Sequence, residues 1–374
     1  MKFCIISAVV HKESEGLFYG YEPYVREMNL WLKYIDELVV VAPSIQGPAN
    51  SVELPYQHKN ITFLNIPSFD ITSLVNTIKA VFLMPIIFYK IFRAMKSSDH
   101  IHLRCPANIS LLGCLVQILF PKKPKTIKYA GNWDPNSKQP LSYRIQKKII
   151  SNTFLTKNAK VLVYGEWENQ SKNIVPFFTA SFSENEICIN ENKNLNDQIK
   201  FLFVGALTKG KQPLLSLKSV HRLYEEGCNV RLDIYGEGTE MQCVKDYVEK
   251  HSLNEIVVIH GNQSKTILKK AYRDAHFLIF ISKSEGWPKV VAESMFYSCL
   301  PISSNVSCIP YMLGYGERGS IITNTNVNEI VKEIKFYIDT PKVYEDKILK
   351  ANVWSNKFTL EFFEREIKKI LIDK

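Results

Sequence analysis

Apolar residues along this chain fall into short runs separated by stretches of helical period. A short apolar run between turn signals reads as a buried strand, and apolar residues recurring every three to four positions read as a helix. In the first half these signals predict strands at Phe3–Val10, Glu37–Ala42, Ile61–Ile66, His100–Arg104, Thr126–Ala130 and Lys160–Tyr164. They predict helices at Glu22–Tyr34, Leu74–Met95, Ser110–Phe120 and Leu141–Phe154. Pro23 suits a first helical turn, whereas Pro85 is expected to kink or break its helix. The segment Ser183–Asp197 is polar, rich in Asn and without apolar periodicity, and reads as a connection between domains. Beyond it the alternation restarts, with strands at Lys200–Val204, Val230–Tyr235, Glu255–His260, Phe277–Ile281 and Leu300–Ser303. The helices there are Pro213–Glu226, Met241–His251, Lys265–Tyr272, Pro288–Tyr297 and a last one at Leu360–Ile372. Strands separated by helices make βαβ units and a mostly parallel sheet, so the fold class is α/β with two doubly wound halves in tandem. Such sheets bind ligands at the carboxyl ends of their strands.

Composition narrows the class. Hydrophobic residues are 46% and charged residues 22% of 374, enough apolar side chain to offset the entropy of ordering and so exclude a disordered chain. No stretch reaches the ~18–20 apolar residues of a membrane-spanning helix, and Phe3–Val10 lacks the cleavage site of a signal peptide. The eight cysteines form no C-x-x-C pair and most sit within apolar patterns, which reads as reduced core thiols in a cytoplasmic protein. The charge is uneven. Lys and Arg number 47 against 37 Asp and Glu, and residues 79–148 alone hold thirteen basic side chains against Asp99 and Asp134, a net +11. That concentration suits an anionic partner or a solvated basic face. Within it, Lys79–Lys90 is apolar and aromatic, framed by Lys79, Lys90, Arg93 and Lys96, and Pro121–Lys125 adds a basic loop. Two readings stand for this segment: a peripheral contact with an anionic membrane, or a core helix with charged ends. Nucleic-acid binding has only the basic residues behind it, without a recognition motif.

The sharpest chemistry is Ser284-Glu285-Gly286-Trp287-Pro288-Lys289-Val290-Val291-Ala292-Glu293. It follows an apolar strand, so Glu285 lies past a strand's carboxyl end. Gly286 permits close backbone approach, and Pro288 is suited to open a helix. The amides of Lys289 and Val290 then sit at a helix N-terminus, a good phosphate site. Both carboxylates can border one ligand, and a carboxylate accepts paired sugar or ribose hydroxyls well.

This E-x7-E segment resembles the donor-binding signature of glycosyltransferase family 4, retaining enzymes of GT-B fold that use nucleotide sugars. The resemblance extends through residues 201–220, 232–241 and 257–264 and covers 200–320. It implies two Rossmann-like domains facing across a cleft: an acceptor-side domain over 1–196, a nucleotide-sugar domain over 197–357, and a helix at 358–374 packing back on the first. It implies that Glu285 contacts the donor sugar, that Glu293 holds the ribose, and that the backbone of Gly286, Trp287, Lys289 and Val290 meets sugar and diphosphate. Gly205 would let its loop approach the diphosphate, Lys211 with Lys209 would neutralise it, and the base would lie near Gly236 and the His260–Gln263 turn that includes Gly261 and Gln263. Where the family has Arg after that first glycine, this chain has Ala206. In the first half, Gly16 and Gly20 partly match the family's glycine-rich cleft loop, without its Gly-Gly pair. Asn132, Trp133 and Asp134 follow the strand ending at Ala130, where many members place an acceptor-side residue, and Arg104 follows another strand end. Asp134 joins Glu285 and Lys211 as the catalytic candidates.

The expected activity is retaining transfer of a hexose from a UDP- or GDP-sugar to a glycan or lipid-linked saccharide, in assembly of a bacterial surface polysaccharide (capsule, lipopolysaccharide) or glycolipid. No cofactor is expected, and no metal, since the eight histidines are dispersed. The expected location is the cytoplasm or the inner face of its membrane. The alternatives are a non-catalytic GT-B partner and a sugar-nucleotide epimerase or phosphorylase. A dinucleotide oxidoreductase rests only on Gly236-Glu-Gly238, which lacks the full fingerprint.

Overall fold

The computed structural model describes residues 1–50, 52–69, 74–187 and 193–372, with 74–80 as backbone only. The chain divides into two compact units: Met1–Thr179 together with the chain from Phe362 on, and Ala180–Glu361. The division falls just before the polar Ser183–Asp197 stretch, of which 188–192, with Cys188, lie outside the described residues.

The first unit is built on seven parallel strands in the order Ile174–Phe177, Ala159–Tyr164, Lys125–Tyr129, His100–Cys105, Lys2–Ile6, Glu37–Ala42, Ile61–Asn65. The chain starts in the middle, winds to one edge, then returns to wind to the other. Its interior strands are almost wholly buried, as in Glu37–Ala42 (ELVVVA), because helices cover both faces of a parallel sheet. The core joins Ile6, Val39, Val41, Leu103 and Ile127 to Ile87, Ile91 and Met95 of the helix Leu74–Ser97. That helix runs unbroken through Pro85. The proline lies on the exposed side, where water can take the carbonyl it leaves without an amide. The last helix, Leu360–Leu371, stacks Phe362 on Phe178 and sets Phe363 edge-on to Phe177.

The expected strand Phe3–Val10 stops at Ile6. The chain then enters a small second sheet, ordered Ser44–Gln46, His11–Ser14, Leu17–Tyr21, Glu53–Pro55. His11–Ser14 and Leu17–Tyr21 form a hairpin whose two turn residues, Glu15 and Gly16, have φ of 52° and 75°. Left-handed conformation at both positions is what a two-residue hairpin turn demands.

The second unit repeats the winding with six parallel strands: Val257–Gly261, Val230–Tyr235, Ile199–Val204, Phe277–Phe280, Leu300–Ser304, Ser320–Ile322. Phe201, Phe203, Leu232, Ile234, Phe277 and Ile279 pack with Leu217, Val220 and Leu223 of the helix Pro213–Glu225. Both units thus carry the doubly wound order with one reversal point, and the chain has the α/β GT-B fold class of two Rossmann-like domains.

Candidate functional site

The reversal in the second sheet lies between the neighbours Ile199–Val204 and Phe277–Phe280. A ligand crevice forms there because the crossovers after these strands leave to opposite faces. Both strands are buried to their ends and release polar loops that are tied together. Ser282 donates its amide to Ser304 Oγ at 3.0 Å, and Ser304 Oγ donates back to the Ser282 carbonyl at 2.6 Å. The Lys283 amide donates to the Gly210 carbonyl at 2.9 Å. Ser282 Oγ also donates to the Gly210 carbonyl at 3.3 Å, and the two links to Gly210 hold its loop where Lys211 meets Glu285, 74 positions away, as an ion pair. The Glu285 side chain is only 9% exposed and that of Lys211 27%, so their attraction is screened less than on an open surface. Lys211 Nζ also stands 4.9 Å from the centroid of the Phe280 ring.

The next residues form a braced corner. The Gly286 carbonyl accepts from Ser307 Oγ at 3.3 Å and Cys308 Sγ at 3.0 Å. Trp287 is buried, stacked on Trp354 at 6.1 Å and edge-on to Phe358 at 5.6 Å. Pro288 then opens the helix Lys289–Phe296, whose first turn contains Lys289 and Val290 and presents amides that no carbonyl of the same helix can accept from. Further along it Glu293 accepts from Tyr272 Oη at 3.2 Å. Burial, with the Glu293 carboxylate beside it, pushes the Tyr272 hydroxyl well above its ordinary range, so it remains a donor.

Three glycines end three adjacent strands. The Gly205 amide donates to the Tyr235 carbonyl at 3.0 Å, and the Gly236 amide to the Gly261 carbonyl at 2.8 Å. Gly236 has φ of 126°, and a Cβ there would lie 2.0 Å from the Gly205 carbonyl oxygen. The two loops touch only because Gly236 carries no side chain. Ala206 and Lys209 beside them are exposed. Gln263 donates its side-chain amide to the His260 carbonyl at 2.8 Å. His260 stacks flat on Tyr235 at 4.3 Å and bonds Asp233 at 2.7 Å, within a cavity of about 400 Å³ also lined by Lys200, Arg231 and Lys270.

The remaining candidates belong to the first unit. Gly16 is a hairpin turn residue, and Gly20 lies in the strand Leu17–Tyr21 with His11 and Val25 close around it. Arg104 ends a strand at the first sheet's reversal point, 3.8 Å from Glu27 and over the Tyr24 ring at 4.9 Å. Asn132 accepts the Asp134 amide at 2.9 Å, and Asp134 Oδ1 accepts the Asn136 amide at 2.8 Å. Trp133 is 3% exposed, bonded to Gln170 at 3.0 Å and covered by Lys147. These three hold a turn together, and Trp133 points inward. Among the described residues, no group of three His, Cys, Asp or Glu side chains could hold a metal ion.

Tyr272, Ser304, Cys308 and Trp354 were not legible as site residues. Each acts through a contact made across the fold, and none stands in a chemical motif.

Comparison with known proteins accords with this geometry. Residues 185–353, all within the second unit, match the family model described as Glycosyl transferases group 1. Protein CapJ of Staphylococcus aureus is 23% identical over 312 residues, 76% of this chain and 75% of that protein. Among solved structures, HepE of Anabaena in complex with UDP and glucose superposes with a TM-score of 0.68 at 11% identity, covering 99% of both chains. Sucrose-phosphate synthase from Thermosynechococcus elongatus gives a TM-score of 0.65 at 14% identity, covering 99% of this chain and 98% of that one. These findings show the GT-B fold, and they show that the second unit is similar to glycosyl transferases group 1.

Proposed function

We propose that the protein is a retaining, metal-independent glycosyltransferase that moves a sugar from a nucleotide-diphosphate sugar to a glycan or lipid-linked saccharide, in assembly of a bacterial surface polysaccharide or glycolipid. The observation that carries this reading is the Lys211–Glu285 pair beside a helix N-terminus at the reversal point of the second sheet. The second unit would hold the donor and the first the acceptor.

In this reading the diphosphate lies against the first turn of Lys289–Phe296 and the glycine loop at Gly205. Lys211 exchanges its contact with Glu285 for the phosphate, and Glu285 turns to the sugar hydroxyls. As the bond from the anomeric carbon to the β-phosphate oxygen breaks, its electron pair leaves with the diphosphate. The helix end and the Lys211 ammonium stabilise that growing charge. Positive charge on the ring faces the Glu285 carboxylate. The acceptor oxygen bonds to the same face, and its proton passes to the leaving phosphate. Glu293, steadied by Tyr272, would receive the ribose hydroxyls, and the base would lie near Gly236 and Gly261. UDP bound to HepE, which shares the fold, supports a uridine donor over a guanosine one.

The test is thermal stabilisation of the purified chain by UDP, GDP, ADP and NAD, because a ligand that binds only the folded state raises its stability. A rise with UDP or GDP alone is expected. No rise with any of them would shift the reading to a non-catalytic partner, with Ala206 in place of a phosphate-binding arginine as the physical cause.

A further inference from the structure

The basic segment of the first unit has an outward face that the sugar-transfer reading does not use. The helix Leu74–Ser97 buries Ile87, Ile91, Ala94 and Met95 at 0–1% exposure. Its opposite face presents Val81 at 53%, Phe82 at 77%, Ile86 at 54% and Tyr89 at 58%. Phe82, Ile86 and Tyr89 are spaced four and three apart, and Val81 adjoins Phe82, so they share one side of the helix. The helix packed beside it, Asn108–Val116 with its following turn, also exposes Leu115 at 42% and Leu119 at 57%. Single exposed apolar residues are ordinary; a contiguous set rimmed by one sign of charge marks an interaction surface.

The rim is basic. Arg93, Lys96, Lys122, Arg144 and Lys148 are exposed, and Arg93 lies over the Tyr89 ring at 5.8 Å. From residue 71 to residue 165 the chain carries only two acids, Asp99 and Asp134. Not all of its lysines belong to this field. Lys123 caps the helix Leu74–Ser97 by donating to the carbonyls of Met95 at 2.8 Å, Lys96 at 2.7 Å and Ser98 at 2.5 Å. Lys125, Lys128 and Lys147 likewise donate inward to main-chain carbonyls. Arg93 and Lys96, on the same helix as the apolar stripe, are among the cations that face outward. The Lys79 side chain lies outside the described residues.

We propose that this face docks the protein on an anionic lipid bilayer, the apolar stripe entering the headgroup region and the basic rim meeting the lipid phosphates. Aromatic side chains favour that boundary, and each cation near an anionic surface adds about 1 kcal/mol. No described helix is long and apolar enough to cross a membrane, so the contact is peripheral. A second copy of the chain is the poorer occupant, since apposed copies would bring two basic rims together. The proposal stands independently of the sugar-transfer reading.

The test is sedimentation of the purified full-length chain with vesicles of phosphatidylglycerol in phosphatidylcholine and with vesicles of phosphatidylcholine alone. Binding to the anionic vesicles is expected, weakening as salt is raised. Phe82→Glu with Ile86→Glu should lower it at least about tenfold, and Arg93→Ser or Lys96→Ser about fivefold each. Lys250→Ser, on an exposed helix end of the second unit, should leave it unchanged. All five positions are solvent-facing, and a retained cooperative melt confirms folding of each variant. Equal binding to both vesicle types, or wild-type binding by the Phe82/Ile86 variant, overturns the proposal. So does an absence of vesicle binding together with a concentration-dependent dimer that the same variant abolishes.

Discussion

Glu285 and Lys211 each have an ordinary chemical meaning in the sequence, but what joins their loops is the Gly210 carbonyl, which accepts from Ser282 Oγ and the Lys283 amide and which no motif contains. Replacing Glu285 by Gln keeps the side-chain shape and removes the charge. Transfer should fall by about a hundredfold or more while the melting temperature stays near that of the parent. Turnover at the parental rate in a sugar-transfer assay would remove Glu285 from the site. Tyr272→Phe is a milder change. It takes one hydrogen bond from Glu293, so KM for the donor should rise about three- to tenfold at nearly constant kcat. A fall in kcat alone would place Tyr272 elsewhere in the mechanism. Gly236→Ala addresses the backbone instead. The added methyl group would sit 2.0 Å from the Gly205 carbonyl oxygen, so the loops must part. A loss of more than about 3 kcal/mol in denaturant unfolding is expected.

Most helices and strands with strong periodicity were legible where one face is buried, because the apolar spacing is itself the cause of the fold. Elements without that asymmetry were harder to see. The hairpin His11–Ser14 to Leu17–Tyr21 is short, polar and only partly buried, and its one clue was Glu15-Gly16 between two short runs. The helix Val327–Asp339 was absent from the sequence reading although Asn326 followed three positions later by Glu329 precedes an apolar period. Asn326 Oδ1 accepts the Glu329 amide at 3.0 Å. Asn326→Ala should therefore cost about 1 kcal/mol in unfolding free energy, and Asn326→Ser much less. Equal losses for both would mean the cap contributes nothing. The break offered as one outcome at Pro85 does not occur: the helix continues through it, on a side where water can take the carbonyl that lost its amide.

For the molecule as a whole, histidine burial sets a pH dependence. Burial lowers His11, His100 and His276 each to about 4, and lowers His102 well below its usual range. In the unfolded chain these imidazoles titrate near ~6.5. Below that value the unfolded chain binds more protons than the folded one, so stability is complete above about pH 6.5 and is lost as pH falls toward about 4. The melting temperature should be level between about pH 7 and 8 and fall steadily below about 6.5. A level profile down to about pH 5 would show that these rings are hydrated in the folded protein.

The sequence by itself determined the α/β class, the parallel sheets, the two halves and the E-x7-E helix, since local spacing of apolar residues and turn chemistry dictate all of these. Tertiary structure alone decided which cations face outward and which cap carbonyls. It likewise decided that Trp133 turns inward, that Tyr272 meets Glu293, and that Lys211 lies against Glu285. Each depends on distances between residues far apart in the chain, and only the packed sheet and its crossovers set those distances.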